Sequence, residues 1–174
     1  MGRIHVSGSV AKRGNRKKVD FLLEYRPNLP LALIEAKSAL KSLGAGMQQG
    51  ISYAEALEVP FVFSANGKGF LFHDRTGLSS TTETELTSEN FPTPDELYQR
   101  YLRWKGEVPA VRNVIETPIY SDDPNKSPRY FQRIAIDRAV EAIARGERRL
   151  LLVMATGTGK TYTAGQIMWR LWKS

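Results

Sequence analysis

Asp20 and the triplet Glu35-Ala36-Lys37 are of the side-chain types that phosphodiester cleavage needs, if the fold brings them together. If residues 31–37 form a strand, alternation turns Glu35 and Lys37 to one face and Ala36 to the other. Two carboxylates on adjacent strands make a hard oxygen site suited to Mg²⁺, with a backbone carbonyl and waters completing the octahedron. Such an ion polarises a phosphodiester and lowers the pKa of bound water, and a lysine beside it can orient that water. Gln49 and Tyr53, at i and i+4, share one helix face and could turn an amide and a phenol toward a phosphate or the attacking water. The same residues admit a structural reading. Ile-Glu-Ala-Lys suits a solvated helix face, and Gln49 with Tyr53 suits a polar stripe.

Residues 150–161 read LLLVMATGTGKT, an apolar run entering a glycine-hinged loop. Gly157 and Gly159, with Thr158 between them, let the backbone N–H groups curl around phosphates. Lys160 would reach the β- and γ-phosphates, and the Thr161 hydroxyl can ligate Mg²⁺. The chain has 13 residues beyond Thr161. That leaves no room for an acidic Mg²⁺-holding strand, a water-positioning residue or an arginine finger. The expectation is a fragment that opens a motor and does not hydrolyse ATP by itself.

These groups need elements to hold them. Residues 18–25 (KVDFLLEY) read as a strand containing Asp20, closed by a turn at Arg26-Pro27-Asn28-Leu29-Pro30, and residues 31–37 as its neighbour. A helix follows from Gly46 to Leu57, with Met47, Ile51, Ala54 and Leu57 at helical spacing. Residues 61–65 and 70–73 form a hairpin around Asn66-Gly67. Residues 75–90 read as a surface loop. Pro94 opens a helix through Trp104. Residues 108–128, carrying Pro109, Pro118, Pro124 and Pro128, read as a linker. Ser127-Pro128 is placed to cap a helix through Ile143, and a strand over 150–154 feeds the last helix after Lys160. The upstream part is thus β-β-α-β-β-α, a mixed α/β domain, and the downstream part opens a second, parallel-sheet domain.

A chain of 174 residues with 41% hydrophobic and 25% charged residues has the composition of a globular protein. It has no cysteine, which excludes disulfides and thiolate metal sites and agrees with a reducing cytoplasm, the expected location. No apolar run is long enough to span a bilayer, so no membrane partner is expected. The net charge of +7 leans toward a polyanion. Residues 1–18 hold six basic residues and no acid, and five of them are Lys12, Arg13, Arg16, Lys17 and Lys18. That cluster is either a phosphate-contacting ribbon or a solvated tail or turn around Gly14-Asn15. His5 and His73 have no metal-ligand spacing and read as structural, and Trp104, Trp169 and Trp172 as packing residues.

In order, VDFLLEY, LIEAK, MQQGISYAEALEVPFVFSANGKGFLFHD, FPTPDELYQRY and RYFQRIAIDRAV…LLLVMATGTGKT resemble the motor (restriction, R) subunit of type I restriction-modification enzymes. The resemblance runs over almost the whole chain. It implies a PD-(D/E)xK-type endonuclease core, a mixed sheet flanked by helices, over residues 1–107. The linker follows, and residues 129–174 would then be the first βα unit of a RecA-like superfamily-2 translocase. It implies Asp20, Glu35 and Lys37 as the nuclease triad, Asp20 and Glu35 holding Mg²⁺, and Gln49 and Tyr53 as the Q-x-x-x-Y element. Gln132 matches the adenine-reading glutamine, with Tyr130 or Phe131 beside the base. Residues 157–161 match the loop for ATP with Mg²⁺. Double-stranded DNA and the methyltransferase and specificity subunits are the implied partners. Gln132 also fits a polar position on a helix whose apolar stripe is Phe131, Ala135, Ala139 and Ile143. Two residues depart from the general patterns: Met154 stands where phosphate loops have Gly or Ala, and Val19 where "PD" has Pro. The rival readings are a stand-alone nuclease-helicase in repair or modified-DNA restriction, and a docking or DNA-binding module with a decayed nuclease core.

Overall fold

Residues 29–33 and 61–64 carry nonpolar side chains at almost every position, the pattern of strands covered on both faces. The computed structural model describes residues 18–123 and 127–174, and the backbone alone of 4–7 and 10–13. The first two strands, β1 (Ile4–Ser7) and β2 (Val10–Arg13), pair antiparallel as a separate hairpin. The next five, β3 (Phe21–Arg26), β4 (Leu29–Ala36), β5 (Phe61–Ala65), β6 (Phe70–Asp74) and β7 (Glu83–Leu86), form one sheet in sequence order. Within it β4 and β5 are parallel, whereas β5–β6 and β6–β7 are antiparallel. The fold is mixed α/β. Helix α1 (Met47–Leu57) carries the connection between the parallel pair.

The sheet's centre is buried on both sides. On one side Leu33 and Val62 pack against Met47 and Ala54 of α1, with Val59 completing the cluster. The other side is aromatic: Phe63 lies 4.9 Å from Phe72 and 4.6 Å from Phe91 between ring centroids. Strand β7 corrects the expectation of a loop over 75–90. Its Thr and Glu residues are exposed on an edge strand, so the burial signal that reveals a strand is absent.

Four further helices follow: α2 (Pro94–Trp104), α3 (Pro109–Glu116), α4 (Tyr130–Ala144) and α5 (Lys160–Lys173). A capping box between Thr93 and Glu96 starts α2, with Pro94 at its first position. The expected linker contains α3, again opened by a proline, whose Val111, Val114 and Ile115 are buried. Val114, Ile136 and Val140 form a small core shared by α3 and α4, with Ile167 and Leu171 of α5 packed on it. Helix α4 begins at Tyr130, and the Gln132 side chain accepts the Arg129 N–H at 2.9 Å, so Ser127 is not its cap. Residues 150–154 are not a strand. Leu151 and Val153 are each 87% exposed, and no strand among the described residues runs beside them to complete a hydrogen-bond ladder.

The contacts divide the chain into two units, one of Met1–Leu23 with Ala32–Phe91, the other of Glu24–Leu31 with Pro92–Ser174. Among the described residues, no helix is long and apolar enough to cross a membrane.

Candidate functional site

Alternation along β4 sends Leu33 and Glu35 to the face that α1 covers, and Lys37 follows just past the strand end. Asp20 stands at the bend ahead of β3 and not within the strand as expected. Its Oδ2 accepts the Ala36 N–H at 2.9 Å, which pins the start of one strand to the end of the other. Glu35 is 0% exposed, and neither carboxylate oxygen has a hydrogen-bond partner. Lys37 Nζ lies 3.6 Å from Glu35 Oε2 and donates to Gln49 Oε1 at 3.0 Å. Gln49 Nε2 in turn donates to the Tyr53 hydroxyl at 3.1 Å. All five residues singled out from the sequence therefore meet in one place.

Burial raises the Glu35 carboxyl above its ordinary range and the nearby Asp20 charge adds to this, while Lys37 pulls it back. A buried carboxylate without a donor, beside a second carboxylate, is an arrangement that a divalent cation relieves. Among the described residues no group of three or more His, Cys, Asp or Glu could hold a metal. Two side-chain carboxylates, Asp20 and Glu35, are what this place could offer a hard cation, whose other positions would fall to backbone carbonyl and water.

Gly46, Gly50 and Ser64, which carry no reactive group toward a substrate, shape the same place. A Cβ at Gly46 would lie 2.9 Å from Ser64 Oγ, 3.1 Å from Glu35 Cβ and 3.2 Å from Lys37 Cε. A Cβ at Gly50 would come 2.6 Å from Val62 Cγ1. Neither Gly46 nor Ser64 stands out in the sequence. The signal for α1's close approach is two glycines four apart on one helix face, and that for Ser64 is a lone hydroxyl in an otherwise apolar strand.

In the glycine loop Gly157 lies at φ 76° and Gly159 at φ 87°, the latter capping α5. Lys160 Nζ donates to its own loop, to the Met154 carbonyl at 3.0 Å. Thr161 is exposed. Gln132 is buried and both ends of its amide are engaged, Oε1 by Arg129 N–H and Nε2 by the Thr158 carbonyl at 2.8 Å. In this state it braces the loop. Tyr130 and Phe131 pack edge to face, 5.6 Å apart.

Of the basic cluster, Lys12 and Arg13 belong to β2 opposite His5 and Ile4. Their side chains, and Arg16 and Lys17 altogether, lie outside the described residues; Lys18 is exposed. His73 pairs across strands with Glu83, Nδ1 to Oε1 at 2.9 Å. Trp169 packs against Tyr120, whereas Trp172 is 74% exposed.

Comparison with known proteins gives the chain its relatives. The family described as "Type III restriction enzyme, res subunit" matches residues 125–174. The chain is 51% identical over 174 residues to the type I restriction enzyme EcoAI endonuclease subunit of Escherichia coli, covering 99% of this chain and 22% of that protein. It is 32% identical over 136 residues to the EcoKI endonuclease subunit of E. coli K12, covering 72% of this chain and 11% of that protein. It thus spans less than a quarter of either relative's length. A solved structure, assigned as a fragment of the HsdR subunit of a type I restriction enzyme from Vibrio vulnificus YJ016, superposes with a TM-score of 0.79 at 41% identity. The match covers 99% of this chain and 32% of that one. On sequence and fold together, the chain belongs to the family of type I restriction-enzyme endonuclease (HsdR) subunits.

Proposed function

We propose that the chain carries the Mg²⁺-dependent endonuclease centre of a type I restriction enzyme, of the PD-(D/E)xK class, together with the phosphate loop and the helix after it from a RecA-like translocase. The observation that carries this reading is the buried Glu35 carboxylate, without a hydrogen-bond donor, set beside Asp20 and 3.6 Å from Lys37 Nζ. Asp20 and Glu35 hold Mg²⁺, which when bound polarises the scissile phosphodiester and acidifies its water. Lys37 orients the attacking water. Gln49 fixes the lysine, and Tyr53 fixes Gln49. None of these groups reads bases. Sequence choice falls to the specificity subunit that works with the methyltransferase subunit, and Lys12, Arg13, Arg16, Lys17 and Lys18 grip the backbone of double-stranded DNA.

Titration of Mn²⁺ into the chain tests the site. One carboxylate-dependent site is expected, abolished by Asp20→Ala or Glu35→Ala and weakened no more than about threefold by Lys37→Ala. In the complete enzyme all three changes abolish cleavage and spare ATP-driven translocation. Wild-type cleavage by the Asp20→Ala variant overturns the nuclease assignment.

Residues 157–161 take the phosphates of ATP with its Mg²⁺, with the adenine beside Gln132 once its amide is released from the loop. Lys160 Nζ is held by the Met154 carbonyl of its own loop, and no strand among the described residues backs residues 150–154. ATP turnover by the chain is expected at background, with and without DNA. Turnover that Lys160→Ala abolishes contradicts this.

A further inference from the structure

Strand β5 is apolar except for Ser64, which is 0% exposed. Burying a hydroxyl there costs free energy unless it is hydrogen-bonded, and an alanine would fill the strand more cheaply. The hydroxyl has a specific partner. Ser64 is the register partner of Glu35 on the neighbouring parallel strand, so both side chains face α1. Its Oγ accepts the Gly46 N–H at 3.1 Å. Gly46 is the N-cap of α1, a helix start with no side-chain cap of its own. The neighbouring Ala65 carbonyl accepts the Lys37 N–H at 2.7 Å. Two consecutive residues of β5 therefore hold the backbone of Lys37 and the first turn of α1.

We propose that Ser64 is a positioning residue of the cleavage site, fixing the start of α1 against Glu35 and thereby fixing where Gln49 meets Lys37. The inference rests on the nuclease reading. Gln49 is the third residue of α1, so any shift of the Gly46 turn passes directly to its amide, and through that amide to Lys37 Nζ and the Tyr53 hydroxyl. The fit is close on the helix side too, since a Cβ at position 46 would meet Ser64 Oγ, Glu35 Cβ and Lys37 Cε within 3.2 Å. Ser64 touches no reacting atom. It acts on geometry, to which cleavage is far more sensitive than metal binding.

A double-mutant cycle in the complete enzyme tests it, with cleavage, Mn²⁺ half-saturation and translocation measured in parallel. Ser64→Ala and Gly46→Ala are each expected to slow cleavage about tenfold, at unchanged translocation and with Mn²⁺ half-saturation moved less than about threefold. Gly46→Ala keeps its N–H but sets a methyl 2.9 Å from Ser64 Oγ, so with that oxygen removed the double variant should be no slower than the slower single variant. Ser64→Thr, which keeps the oxygen, should recover part of the rate. Wild-type cleavage by Ser64→Ala overturns the inference, as do additive losses in the double variant. Parallel loss of metal affinity and cleavage reduces Ser64 to a packing residue and also overturns it. Asp20→Ala in the same series keeps the two failures apart. If that variant is inactive while Ser64→Ala cleaves normally, the positioning role fails and the nuclease reading stands.

Discussion

On the proposed reading, Glu35 sets function against stability within one side chain. Its carboxyl is raised by burial and by Asp20, so in the metal-free protein folding favours the protonated form. The contribution to stability is then full below the ordinary carboxylate range. It falls as pH rises through the interval between the ordinary and the raised value, and is flat above. Glu35→Gln should remove that fall, and by urea denaturation in EDTA at pH 8 the variant should be more stable than the wild type by about 1 kcal/mol. Mn²⁺ at a hundredfold excess over its dissociation constant should stabilise the wild type by about 2.7 kcal/mol and the variant not at all. Equal stabilisation of both proteins by Mn²⁺ would remove Glu35 from the metal site. Glu35 and Lys37 are legible in the sequence because strand alternation fixes their common face, and Gln49 with Tyr53 because helical spacing does the same. Gly46 and Ser64 are not, since their contribution is a backbone approach across 18 residues of chain.

At the scale of elements, the helices around α3 depend on a buried guanidinium. Arg170 of α5 donates through Nε to the Val114 carbonyl at 3.1 Å and through its terminal nitrogens to the same carbonyl and to Asp137 of α4. Arg170→Met leaves the buried end of α3 without its donors and should cost about 3 kcal/mol in urea or thermal denaturation. Arg170→Lys should recover only part of this, because a single ammonium cannot replace the planar fork. A loss below about 1 kcal/mol would show that apolar packing alone holds α3. The partner that makes 109–116 a helix lies 56 residues downstream, whereas the prolines that suggest a linker lie within it and beside it. Residues 150–154 mislead in the other direction. Their composition suits a strand, but a strand exists only where a neighbour supplies the ladder.

For the molecule as a whole, net charge carries the reading that a salt titration tests. The net charge of +7 and the cluster at 12–18 should make DNA binding by the chain fall steeply with salt. Replacing Arg13, Arg16, Lys17 and Lys18 by alanine should flatten the slope of log K against log salt by about 0.9 for each phosphate left without a cation. An unchanged slope would make the cluster a solvated tail. The grouping of 24–31 with residues after 91 cannot be read from composition, because it rests on side chains far apart in sequence. Tyr25 stacks on Tyr98 at 4.2 Å, and Arg26 reaches the Ile115 carbonyl at 2.7 Å.

Gly50 carries a consequence for how this protein can change. A glycine inside a helix costs about 1 kcal/mol against alanine, so replacing it is a standard step in any search for heat-resistant variants. Here the substituted methyl would have to occupy space 2.6 Å from Val62 Cγ1, in the layer between α1 and the strands bearing Glu35 and Ser64. The helix is kept intrinsically weak so that it can lie close to the sheet. A library selected for thermal tolerance alone should retain glycine at position 50 unless position 62 shrinks with it, so the two positions should drift as a pair.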